Sequence, residues 1–246
     1  MTGAGHPGAC LVRLGRTATH HEGDERGIAF YLRDLILGGQ DGLVNVLGLV
    51  LGLTAAGSET RTIVIGGLAA LLAESVAMAG VIYTSAAAER AYYESKLEQE
   101  RREIREMPDA ERAEVRQIFA ERGLSGELLD RVVAQTTADP KRWVDVMMRD
   151  ELHLEKPAAT GIMRAALVGL SCAVGSAIPI VPYLVAPTTA AAIAAAIISA
   201  AVLFGVGVYK AVTLVGRWWA SGLQMLVIGM ASAFAGYLIG VLLGAR

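Results

Sequence analysis

Apolar residues along the chain are gathered into five long runs, separated by short or strongly polar segments. The runs cover Ile28–Thr54, Thr62–Ala88, Gly161–Leu184, Thr188–Val212 and Trp218–Gly244. A helix needs about 20 mostly apolar residues to cross the hydrocarbon core of a bilayer, which is roughly 30 Å thick. Each run meets that length, so the pattern predicts an all-α, polytopic membrane protein with five transmembrane helices.

Charged residues are concentrated between the second and third runs. Residues 89–156 contain 17 of the 24 acidic and 13 of the 22 basic side chains. Pro108 and Pro140 favour new helix starts, since proline suits the first turn of a helix. Gly123 favours a helix end. These signals predict a cytoplasmic three-helix domain over residues 91–158.

The sequence also predicts the helices at the two ends of this polar segment. No helix breaker occurs between Tyr83 and Glu106, so the second transmembrane helix is predicted to continue out of the membrane as one long rod. The last helix of the domain is predicted to start at Asp139 and to run through Glu151 towards Pro157.

The distribution of Lys and Arg predicts an orientation. Basic residues are abundant in the N-terminal tail, in the polar segment and in the loop near Arg217, and sparse in the other two loops. Because basic residues are retained on the cytoplasmic side, the tail and the polar domain are predicted to be cytoplasmic. The predicted regions are the tail 1–27, transmembrane helices one and two 28–90, the domain 91–158, and transmembrane helices three to five 159–246.

Composition agrees with a membrane protein and excludes some functions. Hydrophobic residues make up 54% of the 246 residues, above the roughly 45–50% of soluble domains. A formal net charge of −2 is not the basic footprint of a nucleic-acid binder, so no nucleic-acid partner is expected. The two cysteines, Cys10 and Cys172, indicate neither a disulfide framework nor a zinc site. No resident cofactor is predicted.

Two pairs of glutamates are spaced to share a helix face. Glu100 with Glu103, and Glu111 with Glu114, are each three residues apart. The turn at Pro108 lets their helices fold back antiparallel and bring the carboxylates together. Ionised carboxylates this close together repel one another unless a bound proton or cation offsets their charge.

Two methionines add a softer ligand to this group. Met147 and Met148 precede Glu151 at helical spacing. Carboxylates suit Mg²⁺, Ca²⁺ and Mn²⁺, whereas thioether sulfur shifts the preference towards transition ions such as Fe²⁺. The alternative is a solvated charged helix in which interleaved bases, Lys96 and Arg101 among them, pair the acids.

Acidic side chains also occur inside the predicted spans. Asp41 lies near the middle of the first span, and Glu74 and Met78 share a face of the second. A carboxylate at the bilayer centre costs about 2.5–3.5 kcal/mol on insertion scales and marks an ion pathway. Asp41 and Met78 are predicted to bind a divalent ion that a proton can replace; an ion pair with Arg33 and ordinary packing are the alternatives. Further candidate pathway residues are Asp34, Asn45 and Glu74.

Small residues repeat every four positions on the fifth span: Ser232, Gly236, Gly240 and Gly244. This small-xxx-small pattern is typical of close helix contacts. It favours a homodimer with a pore on the two-fold axis, and packing within one subunit is the open alternative.

The chain resembles the vacuolar iron transporter family from about Arg33 to the C-terminus. The Ala-, Gly- and Arg-rich composition and the absence of a targeting segment favour a prokaryotic member. The shared motifs are Asp41-Gly42-Leu43-Val44, Met78-Ala79, the Glu-rich helices, Met147-Met148 with Glu151, and Gly236-Tyr237-Leu238-Ile239-Gly240.

The resemblance implies a dimer of five-span subunits that exports cytosolic Fe²⁺, and in some members Mn²⁺, in exchange for protons; Zn²⁺ and Co²⁺ are further candidate ions. By matching position, Asp41 and Met78 would line the path. One departure is Val81-Ile82, where family members have a Gly-Glu pair, so the ligand set and ion preference can differ. The cytoplasmic metal-binding residues would be Glu100, Glu103, Glu111, Glu114, Met147, Met148 and Glu151.

The leading hypothesis is a proton-coupled divalent-metal exporter rather than an enzyme. A membrane-bound di-iron oxidase is an alternative, but such bundles carry two Glu-x-x-His motifs and none of these glutamates has a histidine three residues later. A metal sensor without transport is a third hypothesis. The membrane would be the plasma membrane of a bacterium or the vacuolar membrane of a eukaryote.

Overall fold

A computed structural model describes residues 18–157, 161–213 and 216–244, with side chains described from residue 32 onwards. This part of the chain is all-helical, as predicted. Eight α-helices and one π-turn follow in order: α1 Ala18–Ala55, α2 Thr60–Glu106, α3 Pro108–Glu121, α4 Gly126–Thr137, α5 Pro140–Val146, the π-turn Met147–Glu151, α6 Gly161–Val185, α7 Thr188–Thr213 and α8 Trp218–Gly244.

Five of these helices, α1, α2, α6, α7 and α8, are long and apolar enough to cross a membrane. The predicted number of spans is therefore confirmed. The first apolar run is predicted to start at about Ile28, and α1 extends beyond it, from Ala18. The segment from Ala18 to Gly27 contains no proline, and its two glycines, Gly23 and Gly27, are tolerated inside a helix at a cost of about 1 kcal/mol each. Residues 1–17 of the predicted tail lie outside the described residues.

The second helix is unbroken from Thr60 to Glu106, which confirms the predicted rod. Its 47 residues correspond to about 70 Å at 1.5 Å per residue, more than twice the thickness of a hydrocarbon core. The helix ends where expected. Met107 has φ −131° and ψ 52°, outside the helical region, and Pro108 is the first residue of α3.

The chain divides into two compact units whose limits fall inside α2 and α6: Met1–Leu72 with Ser171–Arg246, and Ala73–Leu170. In the first unit, α1 lies against α6, α7 and α8. Large apolar side chains on its outer surface, such as Ile197 and Leu242, are exposed, as expected for lipid contact. Its buried core consists of Val46, Leu47, Val50, Ile63, Ile180, Tyr183, Ala191, Ala195 and Ala233.

Glycines of α8 lie directly against the backbone of α1. A Cβ placed on Gly236 would be 2.5 Å from the carbonyl oxygen of Gly48, and one placed on Gly240 would be 2.0 Å from that of Gly52. The small-residue stripe of the fifth span therefore packs against α1 of the same chain, at the close distance that small residues allow. It does not support a homodimer, which stays a prediction.

We expect Gly240→Ala to destabilise the membrane unit by about 1–3 kcal/mol, the usual effect of overpacking. The new methyl group would meet the Gly52 backbone, which cannot move aside. Gly205→Ala on α7 is the matched control, because nothing lies within 4 Å of its Cβ position. Thermal unfolding of both variants in detergent measures the difference, and equal melting temperatures would contradict the close contact.

In the second unit, α3, α4, α5 and the π-turn pack around one small core, formed by Val115, Leu129, Val133, Trp143 and Met147. The start of α5 is as predicted, since the Asp139 side chain accepts a hydrogen bond of 3.0 Å from the Lys141 backbone N–H.

This last helical segment runs through Glu151, as predicted, but it does not continue towards Pro157. The α-helix proper stops at Val146, and Met147–Glu151 form a π-turn. Two residues later, His153 has a φ of 52°. A positive φ is incompatible with a right-handed helix, so the helical segment cannot extend through this position.

Candidate metal centre

The end of α2 after residue 90, together with α3, α4, α5 and the π-turn, is called the stalk. The predicted glutamate ligands sit on three of its elements. Glu100 and Glu103 lie in the last turns of α2, and Glu111 and Glu114 in the first turns of α3. Only Met107 separates these two helices, so the two pairs lie on either side of one tight turn. Glu151 is the last residue of the π-turn.

Glu100 and Glu111 are the buried members of this group, each with 4% of its surface exposed. In each of them the Oε2 atom is buried without a hydrogen-bond partner. A buried carboxylate oxygen without a donor is unfavourable, and such groups are neutralised by a proton or paired with a cation. Both side chains therefore need a positive partner when they are ionised.

The five carboxyl groups influence one another. Burial, followed by the negative charges of Glu151, Glu103 and Glu114, raises the pKa of Glu100 to about 7. The pKa of Glu111 is also raised to about 7, first by burial and then by Glu114 and Glu100. Burial, Glu114 and Glu103 raise the pKa of Glu151. The charges of the five carboxyl groups thus act on one another, as the spacing of the two glutamate pairs predicts.

Nearby basic residues pair with other acids. Arg101 and Arg105 contact Glu98, and Arg112 contacts Asp109 at 3.1 Å. These pairs lie on exposed faces of α2 and α3. The alternative of a solvated helix in which interleaved bases pair the acids thus describes the outer face, but not the buried Glu100 and Glu111.

The two methionines are buried on the segment that carries Glu151. Met147 and Met148 are 0% and 2% exposed, and both belong to the π-turn that ends at Glu151. Met147 packs in the same core as Val115 and Trp143. Thioether sulfur and carboxylate oxygen are thus presented by one short segment.

Within the described ranges, no three His, Cys, Asp or Glu side chains are already arranged to hold a metal ion. The carboxyl groups are neighbours without converging on one point. Mutual repulsion of like charges favours that separation, and a bound cation would offset it. The ligand roles of Glu100, Glu103, Glu111, Glu114, Met147, Met148 and Glu151 therefore stay predictions.

In the first unit, Asp41 is half-buried on α1 and accepts a hydrogen bond of 3.3 Å from the Asn45 amide. The next residue, Gly42, lies against α6, where a Cβ would be 2.4 Å from both the Cys172 carbonyl oxygen and Ser176 Oγ. The Ser176 hydroxyl is buried without a hydrogen-bond partner. Sequence reasoning missed the buried Ser176 hydroxyl at this close approach of α1 and α6, for which the i,i+4 spacing of Cys172 and Ser176 was the available signal.

The other candidate residues of the predicted spans lie on two different helices. Asp34 is buried on α1, whereas Glu74 and Met78 are half-buried on α2. Asp41 belongs to the first compact unit, while Glu74 and Met78 belong to the second. A site shared by Asp41 and Met78 therefore stays a prediction.

We expect the metal-free stalk to become more stable as the pH is lowered from about 8 to about 5. The ordinary pKa of glutamate is 4.5, whereas burial raises the pKa of Glu100 and Glu111 to about 7 in the folded protein. Between these values the folded state binds more protons than the unfolded state, so stability falls as pH rises.

Thermal unfolding followed by Trp143 fluorescence measures this effect, in a variant whose other two tryptophans, Trp218 and Trp219, are replaced by phenylalanine. Saturating Mn²⁺ at the higher pH should remove most of the difference, because the cation offsets the same repulsion. Glu98→Gln, on the exposed face, should leave the slope unchanged. A melting temperature that rises between pH 5 and 7 would contradict the assignment.

The five membrane-length helices, with an acidic, methionine-containing helical segment between the second and third, define a polytopic α-helical membrane protein. The family model described as "VIT family" matches residues 32–241. The chain therefore belongs to the VIT family, as its sequence motifs predict, and is an integral membrane protein.

Individual relatives agree with this assignment. Vacuolar iron transporter 2 of Oryza sativa subsp. japonica is 34% identical over 207 residues, which cover 83% of this chain and 84% of that protein. Vacuolar iron transporter 1 of the same organism is 31% identical, covering 89% and 88%. Protein CCC1 of Saccharomyces cerevisiae is 26% identical, covering 87% and 69%. These relatives are eukaryotic, so they do not support the prediction of a prokaryotic member in a bacterial plasma membrane.

Proposed function

We propose that the chain transports Fe²⁺ out of the cytoplasm, with Mn²⁺ as a second substrate, in exchange for protons. One observation supports this most: Glu100 and Glu111 are buried with an unpartnered oxygen each, within Coulombic reach of three other glutamates. The names of the relatives, iron transporters of similar length, agree with iron as the substrate.

The ligand chemistry favours divalent transition ions. Five carboxylates select a doubly charged cation, and the buried thioethers of Met147 and Met148 favour ions softer than Mg²⁺ or Ca²⁺. Fe²⁺ satisfies both ligand types, and Co²⁺ and Zn²⁺ would follow it. Mn²⁺ relies more on the carboxylates.

Asp41 is proposed to hold the ion or a proton inside the membrane. A carboxylate at this depth is tolerated only with a positive partner, and exchange between a metal ion and protons provides one in each state. Asn45 donates a hydrogen bond to Oδ1 and would orient the carboxylate. Met78 and Glu100 lie on the same unbroken helix, about 33 Å apart along its axis, so α2 would extend from the pathway to the stalk.

The proposal includes a cytoplasmic stalk and a dimeric assembly. The basic residues near Arg217 and in the polar segment favour the cytoplasmic side for the stalk, where it would collect ions for export. Two copies are proposed to form a homodimer, with α1 nearest the two-fold axis. The assigned activity is transport, not catalysis.

Purified protein reconstituted in anaerobic proteoliposomes tests this function. Protein molecules whose stalk faces the external solution should carry Fe²⁺ into the vesicles. A pH-sensitive dye inside the vesicles should report a rise in pH as protons leave the lumen. Glu98→Gln, which neutralises an exposed acid of α2, is the control for general charge effects. Metal binding without flux would indicate a sensor, and Fe²⁺-dependent oxygen consumption would indicate an oxidase; either result contradicts the proposal.

A further inference from the structure

An ion pair ties the π-turn to the end of α3. Arg122, the residue that caps α3, contacts Asp150 Oδ1 through Nη2 at 2.5 Å. The Asp150 side chain is only 17% exposed, whereas that of Arg122 is 49% exposed. The guanidinium of Arg122 also lies over the Phe119 ring, 5.8 Å from its centroid. Two contacts therefore fix the arginine that holds Asp150.

The π-turn places two successive methionines in the interior. The N–H of Leu152 donates to the Met147 carbonyl at 3.1 Å, and the N–H of Leu154 donates to the Met148 carbonyl at 2.8 Å. These bonds span five and six residues, whereas those of an α-helix span four. The wider turn accommodates adjacent buried side chains, and single π-turns of this kind are frequent at functional sites.

Asp150 and Glu151 are neighbours in sequence with different surroundings. Asp150 pairs with Arg122, whereas the carboxyl group of Glu151 interacts with those of Glu114 and Glu103. A rotation of the π-turn would separate Asp150 from Arg122 while it displaced Glu151 and the methionines. The ion pair therefore restricts the orientation of the candidate ligands without touching the ion itself.

We propose that Arg122 and Asp150 are positioning residues that hold Met147, Met148 and Glu151 in one arrangement and so give the stalk its preference for thioether-binding transition ions. The inference rests on the proposed metal site. Since the arginine of this pair is half-exposed, the pair contributes little to global stability. Its main effect is on ligand geometry, and so on the choice between soft and hard ions.

The first test uses the full-length, metal-free protein labelled with ¹³C-methyl methionine. Arg122→Gln should shift or broaden the methyl resonances of Met147 and Met148. Arg116→Gln is the control, since Arg116 is as exposed as Arg122 and its ion pair, with the exposed Asp130, also starts from α3 but does not involve the π-turn. Unchanged methionine resonances in Arg122→Gln would overturn the inference, whatever the metal-binding result.

The second test measures affinity for Co²⁺ and Mn²⁺ by titration calorimetry. Arg122→Gln should weaken Co²⁺ binding about ten-fold, as loss of outer-shell support does, and should weaken Mn²⁺ binding less. Arg122→Asp combined with Asp150→Arg should restore the Co²⁺/Mn²⁺ ratio. Equal weakening of both ions would overturn the selectivity role. If the unchanged chain binds neither ion while Arg122→Gln still shifts the methionines, the proposed metal site fails and the positioning role stands.

Discussion

A chain with Asp41 replaced by asparagine is expected to bind metal at its stalk but to move none across the membrane. The amide has nearly the same shape as the carboxylate, yet it cannot offset the charge of a divalent ion or take up a proton in exchange. Removing one partner of a buried ion pair costs about 3–5 kcal/mol; for the half-buried Asp41 we use the lower end of that range, so the initial rate should fall about a hundred-fold. Fe²⁺ uptake by proteoliposomes measures it.

Two further variants separate charge from geometry at this position. Asn45→Ala keeps the Asp41 carboxylate and removes its 3.3 Å hydrogen bond, so it should slow uptake only about five-fold, the effect of one hydrogen bond of about 1 kcal/mol. Glu59→Gln neutralises an exposed acid at the loop before α2 and should leave the rate unchanged. A wild-type rate in Asp41→Asn would exclude Asp41 from the pathway.

The double variant Glu100→Gln with Glu111→Gln is expected to have effects of opposite sign on stability and on metal binding. Both carboxyls are buried and repelled by their neighbours, and their pKa values are raised to about 7. Neutral amides remove that repulsion. The metal-free protein should therefore gain roughly 1–2 kcal/mol above pH 8, less than the full shift implies because solvent screens part of it.

Metal affinity of the same variant should fall about a hundred-fold or more, since two anionic ligands are lost. Calorimetric titration with Co²⁺ and thermal unfolding without metal provide the two measurements. The paired control is Glu106→Gln with Glu121→Gln, which neutralises one exposed acid on each of α2 and α3. Loss of stability together with loss of affinity would show that the two glutamates serve the fold rather than a cation.

Features that depend on short stretches of sequence could be predicted. Hydrophobic length alone defines the five spans, and the absence of a breaker before Glu106 predicts the long α2. Proline at positions 108 and 140 sets the starts of α3 and α5. The i,i+3 spacing of Glu100 and Glu103 also predicts a shared face, and in the structure the charge of Glu103 contributes to the raised pKa of the buried Glu100.

Features that depend on distant contacts could not be predicted in the same way. The π-turn follows from packing of Met147 in the core of the stalk and from the contact of Asp150 with Arg122, residues on separate helices. The partner of the α8 glycines is likewise set by tertiary packing, because a small-residue stripe has the same sequence pattern against its own chain and against another. The early start of α1 at Ala18 has no distinctive sequence signal.

The direct contact between the glycines of α8 and the backbone of α1 limits how the membrane unit can move. Gly52 and Gly240 leave no space between the two helices, so neither can rotate or slide along the other without a clash. Any cycle that exposes Asp41 first to one side and then to the opposite side must displace α1 and α8 as a single body. The hinges of such a cycle then belong to other parts of the chain.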